Sequence, residues 1–189
     1  SKVASVSFPG TYLSTDYYTS IEDAFNAACA AFSAGGITVQ LLDSVEMRGD
    51  FSLTAQSAIT LDLNGHTLSG AKLKLGQGTT KPYALNIKDS AAGGGAIGEI
   101  MLCGNACDLY LDGAVSTTIN KITFDTTQSV KVEWAQGYVA EWSFGTNNSA
   151  SFLSFLASGS HYYAYEDGKL GQRLDYNKNE YETYGRQGK

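Results

Sequence analysis

The chain has 189 residues, 43% of them hydrophobic, enough for one core burying roughly 70% of the unfolded surface, so folding depends on neither disulfides nor metal. A net charge of −6, from 13 basic and 19 acidic residues, leaves no basic footprint for nucleic acid or anionic lipid. No run approaches the ~18 apolar residues of a membrane span and no charged start precedes an apolar stretch; if the protein is exported, its leader is expected to have been removed.

Residues 1–19 alternate weakly at Val3, Val6 and Phe8 and end in Tyr12, Tyr17 and Tyr18, which predicts a leading strand and a loop. Ser20-Ile-Glu-Asp23 then resembles a capping box, with two carboxylates at the positive end of a helix dipole. Apolar residues at 21, 24, 25, 28, 29 and 32 form the stripe of an amphipathic helix over 20–34, ended by Gly35-Gly36. With 21 Gly and only 2 Pro, and helix periodicity confined to this segment, the rest reads as short strands and turns.

From residue 37 an apolar-x-apolar triplet recurs, starting at Val39, Leu61, Leu85, Leu109 and Val130, in steps of 22, 24, 24 and 21 residues. A second triplet trails the first four, at Phe51, Leu73, Ile100 and Ile122, by 12, 12, 15 and 13 residues. A third, weaker strand signal lies between them, around Val45–Met47, Thr67–Ser69, Ala96–Gly98 and Val115–Thr118. Three short strands per ~22-residue period predict a parallel β-solenoid whose coils stack ~4.8 Å apart, with Leu61, Leu85 and Leu109 one above another. A sandwich of ordinary hairpins would not need the period to persist. The glycine-rich run at 91–95 fits an inserted loop in the third coil.

The stretch Ile59-Thr-Leu-Asp-Leu-Asn-Gly-His-Thr-Leu68, preceded by Tyr18-Thr-Ser-Ile-Glu-Asp-Ala-Phe-Asn-Ala-Ala28 and Gly36-Ile-Thr-Val-Gln-Leu-Leu42, resembles the right-handed parallel β-helix (pectate-lyase-like) modules of bacterial secreted and surface proteins. The resemblance covers residues 15–125 and concerns positions that set the fold. It implies a mostly β, right-handed parallel β-helix of about five coils, with an N-terminal capping helix and a C-terminal β cap. The expected layout is one domain: strand and capping helix at 1–36, coils at 37–158, a closing hairpin at 159–176 and a polar tail at 177–189. It also implies a location outside the cell or on its surface.

A polysaccharide-active β-helix enzyme needs carboxylates ~5–9 Å apart, or calcium ligands with a base. The middle residues of the first triplets are Gln40, Asp62, Asn86, Tyr110 and Lys131, and those of the second are Ser52, Lys74, Met101 and Thr123; neither row sets two carboxylates on neighbouring coils. The sequence has no paired Asp-Asp or His-Gly and no arginine in the repeat beyond Arg48, unlike polygalacturonases and pectate lyases, so the resemblance carries no catalytic residues over. Asn64-Gly65, Lys88-Asp89 and Asp112-Gly113 would stack as turns. Calcium between Asp89 and Asp112 is the sharper alternative, but these residue types suit turns by tolerating φ > 0 and bonding their own backbone.

His66 and His161 lack acidic or cysteine partners at a recognisable spacing and read as structural or solvated, against any Ser-His-Asp arrangement. Cys29, Cys103 and Cys107 are an odd count without a zinc or redox spacing, and packing thiols are expected over a Cys103–Cys107 bridge. No cofactor or metal is expected. The strongest remaining signal is aromatic: Trp134, Tyr138 and Trp142 are the candidate ligand-binding residues, close to Phe144, and six of the twelve tyrosines lie after residue 160. Exposed aromatics would stack on sugar rings or anchor a protein, whereas buried ones would close the solenoid. The expectation is a non-catalytic structural or adhesive module whose partner is glycan or a cell-surface protein. The alternative is a polysaccharide lyase or hydrolase, or a fragment of one, using carboxylates such as Glu99, Asp112, Glu133 or Glu141.

Overall fold

The computed structural model describes residues 1–9, 14–76, 84–91, 93–103, 108–113, 117–126, 130–133, 138–144, 153–156, 162–166, 169–175 and 180–183. The chain starts with β1 (Ala4–Phe8), β2 (Ser14–Tyr18) and helix α1 (Ile21–Ala30). The coil strands follow: β3 (Ile37–Leu41), β4 (Val45–Glu46), β5 (Phe51–Leu53), β6 (Ile59–Asp62), β7 (Thr67–Leu75), β8 (Ala84–Lys88), β9 (Ala96–Cys103), β10 (Asp108–Gly113), β11 (Thr118–Asp125), β12 (Val130–Glu133), β13 (Tyr138–Phe144) and β14 (Leu153–Leu156). β15 (Tyr162–Glu166), β16 (Lys169–Asp175) and β17 (Glu180–Thr183) end it.

Successive coils deal their strands alternately to two sheets. The first has the order β14-β12-β10-β8-β6-β3-β1-β2, and the second β13-β11-β9-β7-β4, with β5 also on β7. Every pairing from β3 to β14, and every one in the second sheet, is parallel. Parallel neighbours one coil apart in sequence rule out the hairpin sandwich, and the result is a β-solenoid of about four turns, where the sequence led us to expect about five.

The core is a set of inward rows. Ile37, Ile59, Leu85, Leu109 and Val132 pair in succession, and none is more than 2% exposed. The expected vertical stack is corrected here, because Leu61 faces Ile87 and it is Ile59 that faces Leu85. The chain has slipped by two residues between β6 and β8. A slip of two preserves which side chains point inward, so the hydrophobic pattern cannot detect it.

The third weak strand is present as one leg of a longer strand. In β9 and β11 the buried residues Ile97 and Ile100, and Ile119 and Ile122, are three apart rather than two, so the alternation breaks and the strand bends there. The first coil leaves the two legs separate as β4 and β5, both paired to β7. In β7 the bend carries a bulge between Leu68 and Lys72, with Gly70 at φ +93°. A Cβ on Gly70 would collide with the Met47 carbonyl oxygen and lie 2.7 Å from Glu46 Cγ, so only glycine fits.

Three expectations at the chain ends are corrected. The loop before the helix is partly strand: β2 pairs antiparallel with β1, which pairs antiparallel with β3. The helix runs over Ile21–Ala30, shorter than 20–34. Ser20 caps it, accepting from the Asp23 amide at 3.2 Å, and Ile21, Ala24, Phe25 and Ala28 are buried, with Phe25 5.3 Å from the Phe51 ring. Ala31 is already extended, and the Ser33 amide is drawn to Ser57 Oγ at 2.7 Å, which leaves Phe32 off the helix and 74% exposed. Finally, the polar tail supplies β17, which pairs antiparallel with β16, so the closing hairpin is a three-stranded sheet.

Candidate functional site

Among the described carboxylates, the buried ones lie at the corner that follows the first sheet. Asp62, 3% exposed, accepts from the Asn64 amide at 3.0 Å, the Ser90 amide at 2.9 Å and Gln40 Nε2 at 2.9 Å. Burial alone would raise its pKa, but these bonds and one from the Ser90 side chain outweigh burial and hold the carboxyl below its ordinary range. Asp89, 6% exposed, accepts from the Gly65 amide at 2.8 Å, the Gly95 amide at 2.9 Å and Thr117 Oγ1 at 3.2 Å. One carboxylate thereby ties three successive coils where the backbone ladder is interrupted. Asn64, at φ +49°, donates from Nδ2 to the Leu41 carbonyl at 3.2 Å. This is the turn role expected of these residues, and Asp89 has both oxygens engaged; the side chain of Asp112 lies outside the described residues.

A second arrangement lies beside the middle residues of the triplets, at a position that the apolar-x-apolar pattern does not single out. The residues immediately before the four second triplets alternate in charge, Asp50, Lys72, Glu99 and Lys121, and Glu141 on β13 continues the row. Phe51 pairs with Leu73, which sets Asp50 beside Lys72, and Lys72–Glu99, Glu99–Lys121 and Lys121–Glu141 are register partners. Asp50 accepts from the Lys72 amide at 2.9 Å and lies 3.7 Å from Lys74 Nζ. Glu99 accepts from Thr123 Oγ1 at 2.9 Å, and Lys121 Nζ lies 3.7 Å from Glu141. The signal was present in the sequence as a charge recurring at the coil period.

These placements bear on the alternative carboxylates. Glu99 and Glu141 share a row but stand two strands apart, about 9.6 Å at the backbone, with Lys121 between them. A retaining hydrolase pair is ~5 Å apart and an inverting pair up to ~9.5 Å. Asp112 and Glu133 lie on strands of the other sheet.

Two of the aromatic candidates, Tyr138 and Trp142, lie on β13. Tyr138, 62% exposed, opens β13 in the row of Thr118, whereas Trp142 pairs with Ile122, whose row also holds the buried Ile100 and Leu73. Trp134, Cys107 and His161 lie outside the described residues. Cys29 is a free thiol, its pKa pushed up by burial, partly offset by a hydrogen bond from the Thr54 backbone, and Cys103 is buried. His66 takes part through its backbone, its amide donating to the Leu63 carbonyl at 2.8 Å.

Two open depressions flank the second sheet. One, of about 740 Å³, lies between the start of α1 and the β4–β5 connection and is lined by Glu22, Glu46, Arg48 and Asp50 among others. The other, of about 460 Å³, runs along Asp50, Lys72 and Glu99. Among the described residues no three metal-ligating side chains converge and no helix is long and apolar enough to cross a membrane. No protein family, curated protein or solved structure matches the chain.

Proposed function

We propose that the chain is a non-catalytic β-solenoid module with a structural or adhesive role, exposed outside a bacterial cell and presenting its outer faces to glycan or to a cell-surface protein. The observation that carries this reading is the engagement of Asp50, Asp62, Asp89, Glu99 and Glu141 in hydrogen bonds or ion pairs, in each case with a group on a neighbouring coil. Carboxylates held in this way serve stacking, whereas a hydrolase or lyase needs them turned toward a substrate and free to exchange protons or bind a cation. In this reading α1 covers the interior of the first coil and the β15–β17 sheet closes the opposite end, because an uncovered coil exposes apolar surface.

Recognition falls to exposed aromatics, with Tyr138 the described one and Trp134 its proposed partner, whereas Trp142, in register with Ile122, belongs with the closing of the solenoid. Two measurements test this together. Incubation with acidic and neutral polysaccharides should release no reducing or unsaturated ends; turnover lost on Glu99→Gln or Glu141→Gln would make the protein an enzyme. On a glycan or surface-protein array, binding lost in Tyr138→Ala and Trp134→Ala supports the adhesive role, and a blank array reduces the module to a spacer.

A further inference from the structure

The outer end of the first sheet is a strand whose inward positions contradict the core. β2 closes the order at the N-terminal end, and its register puts Ser14 opposite Phe8, Asp16 opposite Val6 and Tyr18 opposite Ala4. Directly opposed residues share a face. Asp16 therefore ends the inward row that runs through Val6, Val39, Leu61 and Ile87, whose other members are at most 1% exposed. The carboxylate stands in solvent, on an exposed strand, because among the described residues no strand pairs with the outer edge of β2. Burial, and after it the charges of Asp16 and Asp23, disfavours ionisation of Tyr18, the third inward residue.

An open β-edge is a template for another strand, and a copy of this chain brings such edges of its own. We propose that Asp16 is a stop to strand addition. Another strand laid against β2 would carry the inward row over Asp16 and enclose an unpaired carboxylate beside Val6, which is strongly unfavourable. The end thus stays closed to a second copy, although its backbone groups have the geometry to pair. The inference rests on the fold alone and holds whether the module is adhesive or catalytic.

The test is sedimentation velocity across a concentration series, with thioflavin fluorescence, on the wild type, Asp16→Val, Asp16→Asn, Asp16→Lys and the outward control Tyr17→Val. The wild type, Asp16→Lys and Tyr17→Val should sediment as one small species, while Asp16→Val forms larger species that grow with concentration. Asp16→Asn keeps the shape without the charge and should associate to an intermediate degree, which preserves the test if Asp16→Val does not fold. The proposal is overturned if Asp16→Val and Asp16→Asn remain as small as the wild type, if Asp16→Lys associates as they do, or if Tyr17→Val associates equally.

Discussion

Truncating Asp89 removes a buried side chain that holds three coils together at one corner. Asp89→Ala strands the Gly65 amide, the Gly95 amide and the Thr117 hydroxyl, of which Gly95 and Thr117 are themselves buried. Each buried donor left without a partner costs about 1–3 kcal/mol; with Gly65 reaching water more easily, the total is about 3–5 kcal/mol. Asp89→Asn keeps one oxygen for Gly95 and Thr117 but turns an NH₂ toward the Gly65 amide, for a loss of about 1.5–3 kcal/mol. Thr117→Val removes one bond and should cost about 1 kcal/mol. Urea unfolding followed by circular dichroism measures the order Ala, Asn, Val. Because a stack of coils can open one coil at a time, amide hydrogen exchange supplies the local readout and should accelerate at Gly65 and Gly95 in Asp89→Ala and at Gly65 in Asp89→Asn. The reasoning fails if Asp89→Ala stays within about 0.5 kcal/mol of the wild type with exchange at both glycines unchanged.

Other consequences are smaller in scale or narrower in condition. Gly70→Ala, at φ +93° and against the Met47 carbonyl, should cost about 1–3 kcal/mol in thermal or urea unfolding, whereas Gly49→Ala, which meets nothing, should be near neutral. Asp62 has its folded pKa depressed below the ordinary value of 3.8, so its contribution is complete above that value and disappears as pH falls through the lower folded one. Urea midpoints should therefore drop on acidification below about pH 4, and Asp62→Asn should flatten that drop while lowering stability at neutral pH. Lys121→Glu would line up three acids at positions 99, 121 and 141; the side chains of Lys121 and Glu141 are 37% and 61% exposed, so the loss should be about 1 kcal/mol at low salt and shrink as salt is added.

How much of this was legible beforehand depends on the range of the interaction. A side chain's facing in a strand repeats every two residues and is local, so the triplets announced Val39, Leu61, Leu85 and Leu109 as core, and the period between them announced stacked parallel coils. The capping motif at Ser20 and the turn at Asn64-Gly65 are equally local, and both were readable. The helix end was not: it is set by Ser57, 24 residues further along, which takes the Ser33 amide and draws the chain toward the next coil.

Local patterning decided that there would be a solenoid and which residues would line it; contacts between coils decided how the windings lie on one another. The two-residue slip that sets Ile59 under Leu85 is silent to a period of two and is resolved only by loop length and corner geometry. The same register turns isolated charges into the row Asp50, Lys72, Glu99, Lys121, Glu141 and makes Asp89 a tie between three coils. It also puts Asp16 at the end of a valine and leucine row. None of these follows from a residue's near neighbours, because the partner in each case arrives from another turn of the chain.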